Sequence, residues 1–228
     1  MKKIFIFIFL LMFTANISCA DDLRLDKETQ YQKSLMKIGY RILNANNIEN
    51  RMTFYYSNKK DVKTCLNRSY KNIAVYKGML PFIDSDEELA ALLSHEIARG
   101  LDTYAGFWRR TAMTLRKSKY EKKADRTAVD LMVKAGYNPV ALIVILNKIT
   151  AEPCFWDDLG LRRYTVGSDR MLNIYRYIYE KYPVYLVDND YKRNLYYQNF
   201  LLVTKKQRQQ FREEYKNKNS QYVTNKRL

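Results

Sequence analysis

The run Ser94-His95-Glu96-Ile97-Ala98-Arg99 holds the side chains with the most chemistry to offer. On a helix, positions four apart share a face, so His95 and Arg99 point the same way with Glu96 beside them. Two histidines at that spacing hold a metal ion, and the glutamate next to the first serves as general base. Here the second position is Arg99, and the chain contains 1 histidine in all. Arginine keeps its proton and has no lone pair to donate, so it cannot be a ligand. A second group, Glu121-Lys122-Lys123-Ala124-Asp125-Arg126, places Glu121 and Asp125 at i,i+4. Taken alone, that pair reads as a solvated acidic stripe on a lysine-rich helix.

These residues need helices to position them, and the pattern supplies several. Leu35, Ile38, Ile42 and Leu43 recur at helical spacing and predict a helix over residues 26 to 46. Thr53-Phe54-Tyr55-Tyr56 and Ile73-Ala74-Val75-Tyr76 read as short strands, the second ending at Lys77-Gly78. Ser85 to Arg99 carries the strongest helix signature. Ser85 and Glu88 form a capping box, Asp86 and Glu87 suit the first turn, and Gly100 stands where a helix would end. A second site helix spans 118 to 135 and closes at Gly136. Pro139 suits the first position of a third, with Ala141, Leu142, Ile145 and Leu146 as its apolar face. A fourth covers about 168 to 182, before Pro183. Thr204 to Leu228, with eight basic and two acidic side chains, reads as a helix with a frayed end or as a tail.

Composition narrows the class. The chain has 228 residues and 47% apolar side chains, enough for one packed domain and too many for a disordered chain. Lys2 and Lys3 precede an unbroken apolar run from Ile4 to Phe13, too short to span a bilayer and suited to a secretory signal. Ser18-Cys19-Ala20 offers a cleavage site before Asp21-Asp22, and acylation of Cys19 is the competing reading. Residues 1–20 are therefore read as a signal peptide, and the protein as exported to the periplasm or cell envelope. In that oxidising setting Cys65 and Cys154 are candidates to pair, with the geometry left open. The net charge of +16 concentrates in the last 25 residues and in 109–123, where Arg109, Arg110, Arg116, Lys117, Lys119, Lys122 and Lys123 face one Glu121. Such a stretch attracts an anionic membrane surface or acidic polypeptide, or is simply a solvated helix face. The 20 tyrosines are spread along the chain, which argues against base stacking on nucleic acid.

Several separate segments resemble the HtpX-like and CaaX-prenyl-protease-like family of zinc metallopeptidases. They are Lys77-Gly78-Met79-Leu80, Ser85 through Ala98, Glu121 through Arg126, Ala128-Val129, and Ala135-Gly136-Tyr137-Asn138-Pro139, in the family's order and spacing. The match spans about residues 30 to 182, and the small exported, non-transmembrane branch is the nearest analogue. The resemblance implies an α+β, mainly helical fold: a zincin-like metallopeptidase domain over residues 21–203, with a small β-sheet packed on the active-site helices. Residues 204–228 would form a basic C-terminal helix or tail. It also implies zinc as cofactor, with His95 as first ligand, Glu121 as third ligand and Glu96 as catalytic base. Asp125 and Arg170 would be supporting residues.

Two departures qualify that expectation. Arg99 replaces the second zinc histidine. The family's Thr-His-Pro segment reads Tyr164-Thr165-Val166-Gly167-Ser168-Asp169-Arg170 here, so Arg170 is kept and the histidine is gone. His95 and Glu121 make two ligands where an open catalytic site needs three. The reading that ligand chemistry favours is a degenerate metalloendopeptidase with weak or no zinc-dependent activity. In it Arg99 sits between Glu96 and Glu121 and neutralises what a metal would. One alternative is an active zinc endopeptidase using Asp125 or Cys65 as a replacement ligand. Another is a non-catalytic scaffold that binds a peptide, an unfolded envelope protein or an anionic membrane surface.

Overall fold

Leu35, Ile38, Ile42 and Leu43 are all buried, and they wind residues 27–45 into helix α1 against the sheet. The computed structural model describes residues 27–49, 52–67, 71–104, 117–151, 167–188 and 190–225. The N-terminal residues with Cys19, the basic residues 109–116, Cys154 and Tyr164 to Val166 lie outside the described residues.

Strands β1 (Thr53–Ser57), β2 (Thr64–Asn67) and β3 (Asn72–Tyr76) form a mixed sheet in the order β1-β3-β2. β1 runs parallel to β3 with Phe54 opposite Ile73, and β2 runs antiparallel with Thr64 opposite Val75. The central strand is buried on both faces, which is why Ile73-Ala74-Val75-Tyr76 reads as a continuous apolar run. β2 was not expected, because four half-buried residues carry no strong alternation. At the free edge of β1, the Gln32 amide donates to Phe54 O at 2.9 Å and accepts from Tyr56 N–H at 2.7 Å. A side chain thus satisfies backbone groups that an exposed edge would leave open.

A 3-10 turn, Lys77–Phe82, leads into α2 (Asp86–Tyr104). Ser85 Oγ accepts the Glu88 N–H, as the capping box requires. The reciprocal half is displaced: Glu88 accepts from Asp84 N–H at 2.9 Å, and Lys148 donates to both of its carboxylate oxygens. Gly100 does not end the helix, contrary to the expectation from its position. The last turn continues because Asp102 pairs with Lys123 at 2.5 Å and Thr103 donates to Arg99 O at 2.8 Å.

α3 (Lys117–Lys134) ends where expected. Gly136 adopts φ 74°, Gly136 N–H bonds to Val133 O, and Tyr137 N–H bonds to Met132 O. Those paired bonds close the helix around the one residue type that takes a left-handed backbone without strain. The Asn138 side chain then accepts the Val140 N–H, with Pro139 between, and α4 (Val140–Ala151) begins. Ala141, Leu142, Ile145 and Leu146 are buried as predicted, but so are Ile143 and Val144. α4 is enclosed by α2, by α5 (Ser168–Lys181) and by a later helix, so it has no solvent face over these residues.

Beyond α5 come a short turn α6 (Val184–Val187), a 3-10 turn (Asp190–Arg193), α7 (Leu195–Val203) and α8 (Lys205–Asn225). The basic C-terminal segment is a helix seated on α5. Phe211 meets the Tyr179 ring edge-on at 5.5 Å, and Arg212 donates to Tyr175 Oη at 2.5 Å. One apolar cluster runs from Leu35 to Phe200, and the architecture is α+β and mainly helical. Among the described residues no helix is long and apolar enough to cross a membrane.

Candidate functional site

Among the described residues, helices α2 and α3 make the most extensive helix–helix contact, and their facing sides carry His95, Glu96, Arg99, Glu121 and Asp125. Helical spacing puts His95, Glu96 and Arg99 along one side of α2, and Glu121 and Asp125 along one side of α3. The packing brings the two sets together. His95 Nδ1 lies 2.9 Å from Asp125 Oδ1, and His95 Nε2 lies 3.3 Å from Glu121 Oε2. Arg99 Nη1 donates to both oxygens of Glu96 at 3.1 Å, and its Nε lies 3.5 Å from Glu121 Oε1. The Arg99 guanidinium thus sits between Glu96 and Glu121.

Arg170 enters from α5. Its Nε and Nη2 grip Asp125 with two bonds of 2.7 Å, the bidentate geometry that suits guanidinium and carboxylate. Nη2 also lies 3.4 Å from both nitrogens of the His95 ring and 3.9 Å from Glu121. From the sheet, Thr64 Oγ1 donates to Glu96 Oε1 at 2.9 Å. Thr64 was not anticipated, since a lone threonine on an unpredicted strand gives no signal of its own. Because adjacent strand residues face opposite sides, Cys65 points away from this cluster. Cys65 is a free, half-buried thiol, and Cys154 lies outside the described residues.

The cluster therefore contains three carboxylates (Glu96, Glu121, Asp125), two guanidiniums (Arg99, Arg170) and His95. Burial pulls the His95 pKa down, but hydrogen bonds to Asp125 and Glu121 outweigh it and hold the pKa above the ordinary value. Each ring nitrogen faces a carboxylate, as an imidazolium with two N–H donors requires. Burial pushes Glu121 and Asp125 up, yet the cations overcome it. His95 is the chief partner that brings Glu121 down to about 2, and Arg170 is the chief partner that brings Asp125 to about 2. With His95 protonated, positive and negative charges balance.

A two-sided pH dependence of stability follows. The depressed carboxylates stabilise the fold fully above their ordinary values of 4.5 and 3.8, and that gain is lost as pH falls toward about 2. For Asp125 it is on the order of 2 kcal/mol. The raised imidazole works in the other direction: its contribution is complete below pH 6.5 and is lost as pH rises through the higher folded value. Urea midpoints are expected to peak between about pH 4.5 and 6.5 and fall on both sides. His95→Asn should flatten the alkaline limb; an unchanged limb would remove His95 as its cause.

Chemically, the arrangement holds ionised groups still. Glu96 accepts from Arg99 on both oxygens and from Thr64 on one, so a proton acceptor here is already engaged. Both Asp125 oxygens accept from Arg170. Among the described residues no group of three or more His, Cys, Asp or Glu side chains is arranged to hold a metal ion. No protein-family model and no curated protein matches the chain.

Proposed function

We propose that this chain is an exported zincin-like protein that replaces its zinc with an internal cation and acts by holding peptide rather than cutting it. The observation that carries the reading is Arg99, whose guanidinium lies 3.1 Å from both oxygens of Glu96 and 3.5 Å from Glu121. In the metallopeptidases that the motifs resemble, a metal would neutralise those carboxylates. A buried carboxylate without a cation costs several kcal/mol, so some positive charge has to stand there.

The residues present do not fit a catalytic zinc. His95 and Glu121 are two donors, the third position is a guanidinium, and an open site needs three donors plus water. Neither replacement ligand is at hand, since Arg170 holds Asp125 and Cys65 faces the other side of the sheet. Peptide holding is supported by β2. It pairs with β3 on one side, no strand among the described residues pairs with its other side, and Thr64 ties it to the cluster. An extended peptide can add to such an edge through backbone hydrogen bonds. The leader-like residues 1–20 support placement in the cell envelope.

The reversion Arg99→His tests the reading. Purified wild-type chain is expected to carry well under one zinc per molecule by elemental analysis. Arg99→His is expected to gain zinc, and to lose it again when Glu121→Ala is added. One zinc per wild-type chain, removed by Glu121→Ala, would overturn the proposal, as would no gain in the reversion.

A further inference from the structure

α7 presents an exposed ridge that nothing in the charge cluster explains. Leu195 is 74% exposed, Leu202 73% and Val203 62%, all on one nine-residue helix. Leu195 and Leu202 are seven residues apart, so they project from the same side, about 10 Å from each other along the axis. Exposed Gln198 and Asn199 lie between them. The opposite side is anchored: Tyr197 and Phe200 are buried, and Asn194 caps the first turn by accepting from Tyr196 and Tyr197 N–H. The far end is fixed as well, because Thr204 is buried and Arg208 donates to Leu201 O at 2.6 Å. The aliphatic tips are thus held outward on a rigid support.

Each end of the ridge carries a basic pair. Lys192 and Arg193 precede Leu195, and Lys205 and Lys206 follow Val203; all four are exposed. Among the described residues no ion pair engages any of them. Asp188 and Asp190, also exposed, are the acidic residues nearby in sequence, so the segment from 188 to 206 remains net positive.

We propose that this face of α7 docks on an anionic lipid bilayer. The leucines and valine reach below the headgroups, and the basic pairs bind lipid phosphate. The exposure favours lipid over an acidic protein: the aliphatic tips stand out into solvent, and a fluid surface closes around them where a rigid partner would need a matching groove. Lys and Arg beside apolar tips lay their aliphatic stems along the apolar region and keep their charges at the lipid phosphates. The chain's net charge is +16, of which Lys2 and Lys3 in the leader-like segment supply two, and the remaining excess adds long-range attraction to the same surface.

The test uses the full chain with phosphatidylcholine vesicles, with and without phosphatidylglycerol. In Leu202→Trp, brominated acyl chains are expected to quench the added fluorescence, measured against the parent chain with Trp108 and Trp156, only when phosphatidylglycerol is present. Leu195→Ser/Leu202→Ser should weaken partitioning about tenfold. Lys205→Glu/Lys206→Glu should weaken it about twentyfold at low salt, and less at high salt. Cosedimentation without quenching at position 202 would mean the membrane is met elsewhere, and the proposal fails. Failure to bind vesicles, with self-association abolished by Leu195→Ser/Leu202→Ser, would make the ridge an interface between copies and equally overturn it.

Discussion

Arg170→Met is expected to destabilise the fold by about 3–5 kcal/mol, because it strips the main cation from a carboxylate that stays buried. Asp125 is 2% exposed and accepts two 2.7 Å bonds from Arg170. Methionine preserves much of the arginine stem, so lost packing contributes little and the charge is what is missing. For a chain of this length the melting temperature should fall by about 6–20 °C. Pairing the change with Asp125→Asn should recover most of the loss, since an amide left without Arg170 is far cheaper to bury than an anion. Additive losses in the double variant, read from urea unfolding, would show that the two residues do not act as a pair. The change should also relax His95, whose Nδ1 would share Asp125 with no competitor.

Lys148→Met should cost as much, at a place remote from the cluster. Lys148 is 3% exposed and Glu88 2% exposed, and they meet at 2.7 and 2.8 Å. Lys148 also reaches Asp84 at 2.5 Å and Phe82 O at 3.3 Å, so one ammonium pins the start of α2 to α4. Burial alone would lower its pKa, but the hydrogen bonds to Asp84 and Glu88 raise it. Removing it leaves Glu88 buried with only the Asp84 N–H, at about 3–5 kcal/mol. Lys148→Met combined with Glu88→Gln should return to within about 1 kcal/mol of wild type, because an apolar group and an amide replace a buried ion pair. A coupling energy near zero in that double-mutant cycle would refute the account. This pair was invisible in the sequence. Glu88 reads as the acidic half of a capping box, and no motif includes Lys148.

Much of the helical scaffold is legible in the chain because its signals are local. Gly136 and Asn138-Pro139 mark the end of α3 and the start of α4 through backbone preferences that act within a few residues. Gly100 shows the limit of that logic. Its position suggests a terminus, but ties from Asp102 and Thr103 extend the helix past it. For the C-terminal segment the charge leaves a helix or a tail open, and the structure has a helix whose Phe211 and Arg212 find Tyr179 and Tyr175 on α5.

By itself, the sequence determines the chemistry that cannot occur and the residues that share a helical side. A lone histidine followed four residues later by arginine excludes a metal site with two histidines from the same chain, and helical periodicity aligns His95 with Arg99 and Glu121 with Asp125. Only the tertiary structure decides that these two sets face each other. It brings Arg170 to Asp125 from 45 residues away and Thr64 to Glu96 from 32. The reason is physical. Periodicity is a property of one helix, whereas pairing across elements is chosen by what the core buries and by the cost of burying a charge alone.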